Sequence, residues 1–148
     1  MLYKLTPAGV FLVLLLISII THFILPIKEI IQFPYNYIGM GIIVLGIVFN
    51  FLEYNLFKRN KTTINPYIKP SKLVTSGIFK VSRNPFYLGQ VLKLVGVAIL
   101  LGSLITFLFP IIYILIIDRV YIPLEEKNLK HIFGLKYLLY KKKVRRWL

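Results

Sequence analysis

Acidic side chains are scarce in this 148-residue chain, with 5 Asp+Glu against 19 Lys+Arg, and two of the acids are adjacent. Glu125-Glu126 closes a long apolar stretch, with Asp118-Arg119 just before it and Phe133-Gly134, Tyr137, Tyr140 and Val144 after it. Paired carboxylates at such a boundary suit an amine, a ribose or a sulfonium-bearing ligand. The second polar constellation runs from Thr62 to Gly89. It holds Thr62-Thr63-Ile64-Asn65-Pro66, then Ser71-Lys72-Leu73-Val74-Thr75-Ser76-Gly77-Ile78-Phe79, then Ser82-Arg83-Asn84-Pro85-Phe86-Tyr87-Leu88-Gly89. Asn84-Pro85 is a helix start, because Asn is a preferred N-cap and Pro suits the first helical position. The dipole and free N–H groups there favour an anionic or hydroxyl-rich ligand, and Gly77 and Gly89 allow close backbone approach.

Other chemistry is excluded by composition. No cysteine is present, which removes disulfides, thiolate metal sites and a cysteine nucleophile. His22 and His131 lie too far apart to suggest a metal site.

The elements that position these residues are apolar blocks. More than half the chain is hydrophobic (57%), and the charges fall between and after the blocks. Charge at a bilayer centre costs about 3 kcal/mol per residue, so this segregation marks membrane spans. The positive excess fits an anionic lipid surface; a nucleic-acid binder would need a soluble core, and none is visible. Spans are expected at about 8–25, closed by Pro26, and 37–57, with Gly39, Gly41 and Gly46 for close packing; each approaches the ~20 residues a crossing needs. The first reads as an anchor, not a signal peptide: it is long, and Thr21-His22-Phe23 is a poor cleavage site. A polar loop fills 58–85. The apolar stretch beyond it divides at Gly102-Ser103 into 86–102 and 104–122. With that division the basic loop and the basic tail lie on one side, which the positive-inside rule makes the cytoplasm for both termini. The tail, 123–148, is an amphipathic helical segment broken at Gly134 and resting on the membrane surface. The expected class is all-α integral membrane: one domain with four transmembrane helices, the last two a hairpin, a cytoplasmic loop and an amphipathic C-terminal segment.

Leu73-Val74-Thr75-Ser76-Gly77, Phe79, Arg83-Asn84-Pro85, Tyr87 and Gly89, followed by Glu125-Glu126, Leu129, Phe133-Gly134, Tyr137 and Tyr140, resembles the isoprenylcysteine carboxyl methyltransferase family, a relative of the membrane phospholipid methyltransferases. The likeness covers roughly 62–147. It implies an S-adenosylmethionine (SAM) pocket between loop, third span and tail, and an acceptor that arrives from the lipid. Position by position, it implies cofactor contacts at Ser71, Lys72, Leu73, Val74, Phe79, Arg83, Asn84, Pro85, Phe86, Tyr87, Glu125 and Glu126. The chain departs from the family pattern at three places. Phe79 stands for the usual Tyr. Asn84 stands for the usual His, which spares cofactor binding more than proton transfer. Tyr121 stands where prenylcysteine enzymes carry an Arg.

The resulting expectation is SAM-dependent methyl transfer to an isoprenoid carboxylate, a phospholipid amine or a thiol at the inner face of a prokaryotic cytoplasmic membrane. Tyr87 and Glu125 position SAM and Arg119 orients the acceptor; the partners are membrane lipids and a lipid-like or small hydrophobic substrate, with neither metal nor nucleic acid. The structural alternatives make Tyr137 and Tyr140 interface-belt aromatics, Lys93 a snorkelling cation, Arg119 a snorkelling cation or a partner of Asp118, and Lys141 to Arg146 a headgroup contact. Glu53 then reads as interfacial or paired with a nearby cation. A four-helix carrier of hydrophobic cations and a non-catalytic scaffold are the rival classes.

Overall fold

A computed structural model describes residues 5–25, 27–62 and 70–148. Pro26 and the 63–66 part of the polar loop lie outside the described residues. Those described form six α-helices: α1 (Pro7–Ile24), α2 (Ile38–Arg59), α3 (Pro85–Leu101), α4 (Leu108–Ile116), α5 (Ile122–Phe133) and α6 (Leu135–Lys143). No strand occurs among the described residues, and the class is all-helical. Three helical stretches among them are long and apolar enough to cross a membrane: Pro7–Ile24, Tyr35–Arg59 and Leu104–Phe133. α3 is apolar but shorter, at 17 residues.

α1 starts where the sequence provides a cap: the Thr6 hydroxyl accepts from the Gly9 N–H at 3.1 Å, and Pro7 takes the first position. Its outer side exposes Leu12, Leu16 and Ile20, and α2 exposes Val44, Val48 and Phe51. Such outward rows are costly in water and natural against lipid tails.

The tightest packing joins α2 to α3, and glycine makes it possible. A Cβ on Gly46 would stand 2.6 Å from the Gly89 carbonyl oxygen, and one on Gly96 would stand 2.7 Å from that of Gly39. Gly39 therefore faces Gly96 and Gly46 faces Gly89, an antiparallel pairing in which the backbones touch. Gly41, expected to share this role, faces open space: a Cβ there would meet nothing within 4 Å, because it lies on the other side of the helix. Polar side chains pin both ends of the seam: Asn50 Nδ2 donates to the Phe86 carbonyl at 3.0 Å and Asn36 Nδ2 to that of Leu100 at 3.3 Å.

α3 ends at Gly102, whose φ of 71° is the left-handed conformation that favours glycine. The connector between α1 and α2 caps this turn, with Ile30 N–H donating to the Gly102 carbonyl at 2.8 Å and Ser103 Oγ to that of Ile27 at 3.0 Å. Beyond it the chain does not break at 122/123, where the fourth span was expected to give way to a surface tail. A 3₁₀ turn, α4, a π-helical turn (Ile117–Tyr121) and α5 form one stretch from Leu104 to Phe133. Pro110 and Pro123 are tolerated because each falls in the first turn of its α-helix, where the lost N–H matters least. The chain bends at Gly134, φ 51°, and α6 turns back. One core joins α1, α3 and the Leu104–Phe133 stretch, with Phe11 edge-on to Tyr113; a second joins Val74, Ile78 and Phe79 to Tyr137 and Tyr140.

Candidate active site

The corner before α3 and the tail are stitched together by the backbone. Arg83 N–H donates to the Arg145 carbonyl at 3.1 Å, while Ser82 Oγ and Asn84 Nδ2 both donate to the Arg146 carbonyl, at 3.2 and 2.9 Å. Asn84 thus occupies the cap position of α3 without capping it through its side chain. The Asn84 amide is turned toward the tail, with Nδ2 on the Arg146 carbonyl, instead of back onto the first turn of α3.

Side chains add an ionic knot. Arg83 Nη1 lies 2.8 Å from Glu126 Oε1, with both side chains largely buried (8% and 11% exposed). Lys141 Nζ and Arg146 reach the same carboxylate at 2.6 and 3.3 Å. Asp118 accepts from Arg146 Nη1 and Trp147 Nε1, both at 3.1 Å. Burial works against the Arg146 charge, but the bonds to Asp118 and Glu126 outweigh it and keep the guanidinium firmly protonated. Tyr137 and Tyr140 are buried rather than arrayed as an interface belt. Tyr140 donates to the Phe79 carbonyl at 2.7 Å, and Tyr137 accepts from Arg83 at 3.1 Å. Burial raises both phenols above their ordinary range, helped at Tyr137 by the Glu126 charge.

Under this lattice lies a cavity of about 500 Å³, within the range of small-molecule sites. Lys72, Leu73, Val74, Phe79, Arg83, Asn84, Phe86, Tyr87, Glu125 and Glu126 all line it. The Tyr87 hydroxyl donates to Glu125 Oε1, joining the first turn of α3 to the first turn of α5. The two carboxylates of the pair are not equivalent: among the described residues Glu126 is consumed by three cations, whereas Glu125 accepts from a phenol.

Three expected residues lie elsewhere. Ser71 is exposed and donates to the Lys61 carbonyl at 3.1 Å, and Pro85 is buried in the start of α3. Arg119 is exposed on the π turn, off the cavity wall, and Asp118 pairs with Arg146 in its place. Lys93 sits 4.8 Å over the Phe11 ring, inside the packed helices.

The wall also holds residues the motifs do not mark: Thr6 to Ala8 at the start of α1, Glu53 and Phe57 on α2, and Asn128 and Ile132 on α5. Glu53 makes no ion pair among the described residues. It is 7% exposed, and its Oε2 has no hydrogen-bond partner among the described residues. One signal does point to it: Gly39, Gly46, Asn50, Glu53 and Phe57 recur at helical spacing on the side that meets α3.

A family model described as phospholipid methyltransferase matches residues 34–136, from the connector through α5, including the Leu73 to Gly89 motif and both glutamates. The chain belongs to the phospholipid methyltransferase family. An uncharacterized protein of Haemophilus influenzae is 44% identical over 62 residues, 42% of this chain and 98% of that protein. Proteins named "probable protein-S-isoprenylcysteine O-methyltransferase" in Oryza sativa subspecies indica and japonica are 28% identical over 114 residues, 74% of this chain. The chain spans 58% of the length of those rice proteins. No solved structure matches. Family membership agrees with the resemblance carried by the two motifs, and it supports a membrane methyltransferase over a carrier.

Proposed function

We propose that this chain is a SAM-dependent methyltransferase acting on a small or lipid-like acceptor at the cytoplasmic face of a prokaryotic membrane. In this reading α1, α2, α3 and the 104–122 segment are four spans, and both termini are cytoplasmic. The reading rests chiefly on one observation: the Arg83–Gly89 corner and the Glu125 carboxylate meet in one cavity through the Tyr87–Glu125 hydrogen bond.

The wall suits a ligand that is both charged and amphipathic. Glu125 supplies negative charge for a cation, and the buried Arg83 Nε, without a partner among the described residues, supplies a donor for a carboxylate. Leu73, Val74 and Phe79 give an apolar face on which a nucleoside base can rest. When bound, SAM supplies an electrophilic methyl group on a sulfonium, and transfer leaves a neutral thioether. The chain's own residues then have one task, to hold donor and acceptor in line in a dry site, which lowers the barrier by several kcal/mol. Tyr87 keeps Glu125 oriented, and Glu126 fixes the tail that closes the cavity.

The decisive experiment is transfer of label from methyl-labelled SAM to a membrane lipid extract by the purified chain, with calorimetric SAM binding in parallel. Incorporation with saturable binding is expected. Absence of both favours a non-catalytic scaffold.

A further inference from the structure

Of the carboxylates lining the cavity, Glu126 is saturated by Arg83, Lys141 and Arg146, and Glu125 accepts from Tyr87. Glu53 alone keeps a buried oxygen without a partner among the described residues. Its inward direction is imposed by backbone geometry. The Gly46–Gly89 contact draws α2 against α3, and Asn50, one turn earlier, is tied to the Phe86 carbonyl. Glu53 must therefore point at the space beside Phe86 and Tyr87. A carboxylate held there is costly until a cation meets it. Among the described residues no cation of the wall does so: Arg83 is bound to Glu126, and Lys72 is exposed.

We infer that Glu53 selects the acceptor: with the rings of Phe57, Phe86 and Tyr87 it forms a receptor for the positively charged nitrogen of an amine-bearing acceptor. The inference rests on the methyl-transfer reading above. Aromatic faces attract alkylammonium groups, and a carboxylate beside them adds direct charge pairing. An acceptor bearing a carboxylate would meet Glu53 and Glu125 as like charges, and a thiol would leave Glu53 unpaired. A carboxylate touching the nitrogen is also where its proton goes. The nitrogen lone pair forms the bond to the methyl carbon while the C–S bond breaks with its electron pair on sulfur. The amine is that of a lipid headgroup or of a small soluble molecule, and the test separates the two.

Wild type, Glu53→Gln and Glu53→Asp are compared as purified full chains in lipid nanodiscs. Binding of S-adenosylhomocysteine is measured by calorimetry, and thermal protection with dodecyltrimethylammonium. Methyl transfer is followed to dodecylamine, dodecanoate, dodecanethiol and ethanolamine. Wild type is expected to methylate dodecylamine in preference to dodecanoate and dodecanethiol, and to be protected by the quaternary ammonium. Glu53→Gln should keep S-adenosylhomocysteine affinity within about twofold, lose the protection, and raise the dodecylamine KM at least tenfold; Glu53→Asp should recover part of it. Preference for dodecylamine over ethanolamine marks a lipid amine, and the reverse marks a soluble one. Three results overturn the assignment alone: Glu53→Gln indistinguishable from wild type towards amines, equal loss of nucleoside binding, or wild-type preference for dodecanoate or dodecanethiol. A wild type that binds no S-adenosylhomocysteine and transfers no methyl overturns the methyl-transfer reading, and this assignment with it.

Discussion

The Tyr87 hydroxyl donates to the Glu125 carboxylate across the cavity, so residues 38 positions apart form one wall from two helices. Each serves the other. The phenol would otherwise be a buried donor without a partner, and the carboxylate a buried charge without a hydrogen bond.

Tyr87→Phe should therefore weaken SAM binding by about tenfold, the worth of one hydrogen bond to a charged group. Glu125→Ala should weaken it further. Calorimetry on both variants checks this, and wild-type affinity in Glu125→Ala removes that carboxylate from the site.

Gly46→Val and Gly96→Val should prevent stable packing of α2 on α3, since the added atoms meet backbone as well as the Lys93 and Ile43 side chains. Overpacking of this kind costs about 1–3 kcal/mol or more. Gly41→Val should be tolerated, because the space beside it is open. Recovery of monodisperse protein after detergent extraction reads out all three.

Arg83→Ala should destabilise the tail-docked end by about 1.5–3 kcal/mol, because it breaks a largely buried charged pair while Lys141 and Arg146 still hold Glu126. Lys141→Ala should have a much smaller effect that fades with added salt, since the lysine is 43% exposed. Protease sensitivity of the 144–148 segment at low and high ionic strength distinguishes them.

Alkaline pH should loosen the same end. The Tyr137 and Tyr140 phenols titrate above 10.0, their ordinary value, so folding binds protons that the unfolded chain has released. Their contribution is complete below pH 10.0 and is lost as pH rises towards the raised folded-state values. Tyr140→Phe should flatten this dependence while costing about 1–2 kcal/mol at neutral pH, because the Phe79 carbonyl loses its donor. Tail protection measured against pH in wild type and variant tests the sign.

Much of the fold is legible because bilayer-spanning sequences carry a coarse signal. The apolar blocks and the Gly102 turn stand out in composition alone, as do the helix starts at Pro7 and Pro85. The motif from Leu73 to Gly89 and the Glu125-Glu126 pair are equally visible, being polar residues crowded where a short turn would suffice. What stays hidden is direction. Nothing local distinguishes Gly41 from Gly39 and Gly46; the difference is which of them meets α3. Glu53 near the end of an apolar helix reads as a surface acid until the Gly46–Gly89 contact turns it inward. The continuity from Leu104 to Phe133 is similarly masked, because basic residues after Asp118 suggest a change of element where the backbone merely passes through a π turn.

That uninterrupted stretch sets Glu125 well out along a lever. Residues 104 to 125 at about 1.5 Å each put it roughly 30 Å from the start of the stretch. A tilt of about 3° about that start would carry Glu125 roughly 1.5 Å sideways relative to Tyr87 on the other wall. In the methyl-transfer reading proposed above, alignment in the cavity would then follow the thickness of the surrounding lipid.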